Sequence, residues 1–200
     1  MITSNGKFSK RVFTFSLIAL SAIALAGCGG GNKTSAPATD EKSRIVETTE
    51  FSAKIPREWD VIEAKDFSSD VQKETVLIFR NNVKNENFTA NVNVVKKNLQ
   101  KTEESLDFAR ATINRQKNGL LNYKQTKQDL TKMTITGKQF DSYTTSFEAK
   151  KDEQSDLVNF FQTYAVKGNS GYIFTGSYST NESSANVTAV QDIVKSFSLK

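Results

Sequence analysis

The sequence predicts an α+β fold: a central, mainly antiparallel sheet of about six to seven strands with helices on its faces. Three observations carry this. Period-two alternation of apolar and polar residues recurs in runs joined by turn-like segments, as hairpins require. Two segments, one mid-chain and one at the C-terminus, switch to a helical period. Apolar periodicity then runs from Ile45 to Leu199 with no second linker, which makes residues 44–200 one domain.

The elements follow in order. Phe51, Ala53 and Ile55 alternate with Ser52 and Lys54, and Pro56 ends that strand because it has no amide to donate. Trp59 and Val61 come at once after it. Residues 75–80 (TVLIFR) are apolar on both faces, as an inner strand is. Phe88, Ala90, Val92 and Val94 alternate with Thr89, Asn91 and Asn93, which predicts a strand with one wet face and a hairpin across 81–87. Residues 102–118 place Leu106, Ala109, Ile113 and Gln116 near one helical face. Thr102 or Ser105 is the expected cap, Glu103 and Glu104 suit the N-terminal dipole, and Gly119 suits the position just past the end.

Two strands, 130–136 and 139–149, are expected to meet around Gly137. Residues 157–166 and 172–178 flank 167–171, whose two glycines supply the positive φ of a tight hairpin. Val187, Val190, Val194 and Phe197 recur at three, four and three residues, the pattern of a C-terminal amphipathic helix opening after 180–184.

Composition excludes much chemistry. The chain has one Cys and no His, so it cannot build a Ser-His-Asp triad, a Cys-His dyad or a His-bearing zinc site. It carries no P-loop, no GxGxxG and no GxSxG. The carboxylates form no convincing acid–base pair: Glu103 and Glu104 sit at a helix start, and Asp152, Glu153 and Asp156 lack the spacing of an EF-hand loop. The expectation is a non-enzyme with no cofactor and no metal.

The first residues read as an address. Lys7, Lys10 and Arg11 precede a fifteen-residue apolar run, 12–26, that ends in small residues. That is the build of a secretory signal peptide, and it is shorter than the roughly 20 apolar residues of a permanent span. The run closes on Leu25-Ala26-Gly27-Cys28, which resembles the bacterial lipobox. The resemblance implies cleavage before Cys28 and acylation of its thiol and new amine. A plain secretory peptide or a retained anchor is the alternative. Two or more acyl chains give stable anchoring, at about 0.8 kcal/mol for each buried CH₂. On this reading 1–27 is a lipoprotein signal peptide, and 28–43 is the lipidated Cys with a flexible tether of roughly 20 Å root-mean-square reach. Cleavage removes three positive charges, lowering the excess of basic residues from five to two, and no clustered basic face argues for nucleic acid. The expected partners are the membrane, through Cys28, and an envelope protein, with the chain itself a monomer.

Three segments together resemble a known group: 51–59 (FSAKIPREW), 164–174 (YAVKGNSGYIF) and 193–197 (IVKSF). They are similar to the DcrB/PsbP-like group, which shares an α/β/α sandwich with the Ran-binding protein Mog1. The resemblance implies an α/β/α sandwich over residues 45–200. It also implies the life of an envelope lipoprotein or exported protein without a catalytic role. The His residues tied to metal or subunit contacts in plant PsbP have no counterpart here.

The aromatic residues offer the one candidate partner or ligand face: Tyr164, Tyr172 and Phe174 on the hairpin, with Trp59 beside Pro56. Core packing is the alternative for each of them. The expected function is a non-catalytic envelope lipoprotein acting as a membrane-tethered protein-binding or accessory module. A small-molecule or ion-binding lipoprotein serving uptake or envelope stress is the alternative. Its location is the bacterial cell envelope, on the outer face of the cytoplasmic membrane or on the outer membrane facing the periplasm.

Overall fold

The computed structural model describes residues 42–69, 71–83 and 88–200. The expected signal peptide, Cys28 and the expected tether as far as residue 41 lie outside them, as do residues 84–87 of the expected 81–87 turn.

Ten strands and two helices alternate along the chain. They are β1 (Ser43–Glu47), β2 (Phe51–Pro56), β3 (Asp60–Glu63), β4 (Thr75–Arg80), β5 (Asn91–Asn98), α1 (Ser105–Gly119), β6 (Leu121–Ile135), β7 (Lys138–Lys150), β8 (Val158–Lys167), β9 (Ser170–Ser179), α2 (Ser184–Lys195) and β10 (Ser198–Leu199). They form one curled, half-barrel sheet in the order β1-β2-β10-β6-β7-β8-β9-β5-β4-β3. Every neighbour pair is antiparallel except β10 with β6, where the C-terminal residues Ser198 and Leu199 run parallel to Thr134 and Ile135.

Ten strands exceed the expected six to seven, for identifiable reasons. Ser43, counted with the tether, begins β1, which pairs in register with β2. The segment after Trp59 makes the short edge strand β3. A two-residue strand such as β10 has no period to read. Strand β6 starts at Leu121 rather than 130, and its early residues alternate nothing because almost all of them are exposed.

The helices lie on opposite faces of the sheet, and β9 shows how. On one face, Gly171 lies so close to Phe108 of α1 that an added Cβ would sit 2.5 Å from its ring. On the other, a Cβ on Gly176 would sit 2.2 Å from Val190 of α2. The α2 face holds the larger core, including Phe51, Trp59, Phe79, Phe174, Val190 and Phe197. The α1 face holds a smaller one, built from Val95, Phe108, Ala109, Ile113, Tyr164 and Ile173. Each large side chain so enclosed contributes about 1.5–3 kcal/mol.

Several local expectations change. The N-cap of α1 is Glu104, with no side-chain cap. Ser105 instead accepts a hydrogen bond from the Val166 amide at 2.9 Å and so ties the helix to β8. Thr102 donates to Asn169 Oδ1. Gly119 is the last helical residue, and the chain leaves through extended Leu120 (φ −95°). Of the two glycines at 167–171 only Gly168 has positive φ (+57°). Gly171 is a strand residue whose role is closeness to α1. Helix α2 begins at Ser184, and Ser183 caps it by accepting from the Asn186 amide. Phe197 lies just beyond that helix, still buried.

Candidate functional site

In an antiparallel sheet, residues directly opposite each other point to the same face, so strand register determines which side chains share a surface. On the α1 face the register builds transverse rows. Val95, Ile173 and Tyr164 form one row beneath the helix. The next row is polar throughout: Asn93 of β5, Thr175 of β9, Gln162 of β8 and Thr145 of β7. The row after that runs Asn91, Ser177, Phe160, Phe147.

Helix α1 covers the first row and stops short of the rest. What remains is a cavity of about 450 Å³ between the polar rows, the last turns of α1 and the loop 151–156. Its size falls in the range of small-molecule sites. Phe147 and Phe160 stack at 4.9 Å and give it an apolar wall together with Ala149 and Val158.

The floor is a buried hydrogen-bond chain. The Tyr164 hydroxyl shares a 2.8 Å hydrogen bond with Thr145 Oγ1 and donates to Gln162 Oε1, also at 2.8 Å. Gln162 Nε2 donates to Thr175 Oγ1 at 3.0 Å. Burial raises the Tyr164 pKa far above its ordinary value, so the phenol stays neutral. At the end of the row the chain stops. Among the described residues Asn93 Oδ1 is buried without a partner, and so are Thr112 Oγ1 and Gln116 Oε1 on α1. All three residues line the cavity. Buried polar atoms are almost always paired, with protein, ordered water or a bound molecule, so these three oxygens make the cavity the candidate binding site.

The mouth is cationic. Lys97 of β5, Arg115 of α1 and Lys151 border it. Among the described residues none of the three makes a salt bridge; the Arg115 Nε–H donates only to Ala111 O of its own helix. Lys97 is half-buried, and its pKa is lowered first by that burial and then by the positive charge of Arg115, against a smaller pull from Glu74. Asp152 and Asp156 also reach the rim. Asp152 is engaged within its own loop, where it accepts from the Gln154 amide, the Ser155 amide and the Ser155 hydroxyl. The Ser155 hydroxyl bond leads in holding its carboxyl below the usual range.

The sequence-derived aromatic face is not a surface. Trp59 is 2 % exposed, Tyr172 3 %, and Tyr164 and Phe174 are fully enclosed. Nor do the four come together. Tyr164 pairs with Ile173 across β8 and β9, so Tyr172 and Phe174 point to the opposite side of the sheet. There Phe174 stacks on Phe197 at 4.1 Å, in the core that also holds Trp59. The cavity residues escaped notice because Asn91 and Asn93 read as a solvated face. They are in fact 2 % and 4 % exposed. The available signal was the coincidence of polar residues at inward positions of four paired strands.

Comparison with known proteins bears on the fold. No family model and no curated protein matches the chain. Among solved structures, the cyanobacterial PsbP (CyanoP) from Synechocystis sp. PCC 6803 superposes with a TM-score of 0.54 at 13% identity, over 88% of this chain and 99% of that one. LpqN, described as involved in cell envelope biogenesis of Mycobacterium tuberculosis, gives 0.53 at 10% identity over 79% and 90%. A point mutant of the protein Mog1 gives 0.50 at 13% identity over 78% and 94%. The fold is PsbP/Mog1-like. Those identities carry the likeness no further than architecture. No described helix is long and apolar enough to cross a membrane.

Proposed function

We propose that this protein is a non-catalytic envelope lipoprotein, held at a membrane by acylated Cys28, whose folded domain is a small-molecule-binding module. One observation carries the binding reading: the cavity on the α1 face is bordered by three buried oxygens that have no partner among the described residues. A protein-docking role through the aromatic hairpin loses its support, since those aromatics are interior. The lipobox-like Leu25-Ala26-Gly27-Cys28 supports the anchor, and the structural likeness to LpqN is compatible with an envelope role.

Intact-mass measurement of native material tests the anchor. The expected species begins at Cys28 and carries acyl mass; retention of the initiator Met, or a free thiol, overturns it. A thermal-shift screen of small molecules tests the module. Ligands that bind only the folded state raise the unfolding midpoint. A broad screen in which nothing moves the midpoint overturns the binding reading.

A further inference from the structure

We infer that the cavity on the α1 face takes an organic anion with a flat apolar body and a hydrogen-bond donor, its charge held at Lys97 and Arg115. The inference rests on the binding reading above and adds the chemistry of the ligand.

Three features of the site specify that chemistry. First, the cations at the mouth are left for something else. Lys97 comes from β5 and Arg115 from α1, and neither forms a salt bridge among the described residues. Half-buried Lys97 and exposed Arg115 repel each other, and an anion bound between them turns that repulsion into attraction. The guanidinium also offers a planar fork suited to an oxyanion. The rim carboxylates stay charged but pair with neither cation. Asp152 accepts from Ser155 and Gln154 and feels Lys151, and Glu74 exerts only a smaller pull on Lys97. Among the described residues neither Asp152 nor Asp156 forms a salt bridge. Second, two of the three unpartnered atoms can only accept. Asn93 Oδ1 and Gln116 Oε1 are amide oxygens, so the ligand must bring N–H or O–H groups. Third, Phe147 and Phe160 line the cavity beside Ala149 and Val158, and this aromatic and aliphatic wall suits the body of a ring.

Two probes that differ by one group separate these requirements. Anilinonaphthalene sulfonate has a ring body, one N–H and a negative charge. Phenylnaphthylamine has the same body and N–H without the charge. The readout is the thermal unfolding midpoint of the detergent-solubilised native protein, followed by circular dichroism, with the free concentration of each probe outside the micelles fixed by equilibrium dialysis. At about one hundred times its Kd the sulfonate is expected to raise the midpoint by about 5–10 °C, and the amine at the same concentration by clearly less.

In Lys97→Met/Arg115→Gln the sulfonate shift is expected to fall to that of the amine, with the amine shift unchanged. The unliganded midpoint does not fall, because the substitution removes a repulsion. Asn93→Leu is expected to weaken both probes while the unliganded midpoint holds or rises, since an apolar group replaces an unsatisfied buried one. Equal shifts from the two probes, or a sulfonate shift that survives the double substitution, overturn the anion assignment and leave cavity binding standing. Full binding of both probes by Asn93→Leu overturns the donor assignment. No shift from either probe in the wild type overturns the inference and counts against the binding reading with it.

Discussion

Tyr164 shows what a single residue contributes here. Its ring fills the smaller core and its hydroxyl sits between Thr145 and Gln162, which in turn holds Thr175. The phenol therefore supports the cavity floor without reaching the cavity. Tyr164→Phe keeps the ring and deletes the hydroxyl, leaving Gln162 Oε1 and Thr145 Oγ1 in an enclosed site with one partner fewer. Leaving a buried polar group unsatisfied costs about 1–3 kcal/mol. For a chain of this size that lowers the midpoint by about 2–4 °C for each kcal/mol. Calorimetry reads the change, and an unaltered midpoint would show the network to be dispensable. That Tyr164 is an aromatic of the hairpin was legible from the sequence. Its side of the sheet was not, because a one-residue change of register exchanges the two faces. The register is fixed by the two-residue turn at Gly168 and Asn169, which sets Lys167 opposite Ser170.

At the scale of elements, α1 lies chiefly on β8 and β7 and α2 on β9 and β2, and β9 is approached closely by both helices. Gly171 admits α1 on one face and Gly176 admits α2 on the other. Gly176→Ala would place a Cβ 2.2 Å from Val190 Cγ1, so α2 must shift outward, an overpacking cost of about 1–3 kcal/mol. Val190→Ala creates room at the same point. The double variant is therefore expected to lose less stability than the two single losses together, by more than the ~0.5 kcal/mol scatter of independent sites. Urea denaturation of the four proteins measures the coupling, and strict additivity would mean that the clash is relieved elsewhere. The sequence displayed the hairpins and both helices because their apolar residues are periodic. It concealed β1, β10 and the first half of β6 for a physical reason. These strands depend on partners more than on their own side chains, as exposed Ile45 and Leu121 illustrate. The cavity was hidden the same way, since its polar residues come from separate strands and become one site only when four of them align.

The whole molecule has an unusual titration, because the chain contains no His. Few of its side chains change charge in the neutral range, and most of the groups with resolved shifts act at the alkaline end. Lys97 has a folded pKa below its unfolded value of 10.5, owing to burial and then Arg115. As pH rises through that folded pKa, the folded chain releases this proton first. The unfolded state then binds more protons, and stability rises with pH. Tyr123, Tyr164 and Tyr172 act oppositely: burial leads in raising each of their pKa values, so above about pH 10 the unfolded chain ionises first and folding weakens. Lys96 adds to the fall, since its hydrogen bond to Glu50 holds the proton past the unfolded pKa. Stability is therefore expected to rise modestly on the approach to about pH 10 and to drop steeply beyond it. Lys97→Met should abolish the rise and keep the drop. Urea midpoints taken across the alkaline range in both proteins decide the matter. A rise that persists in Lys97→Met would assign it to another group, and with it would go the evidence that Lys97 and Arg115 repel each other at the mouth of the cavity.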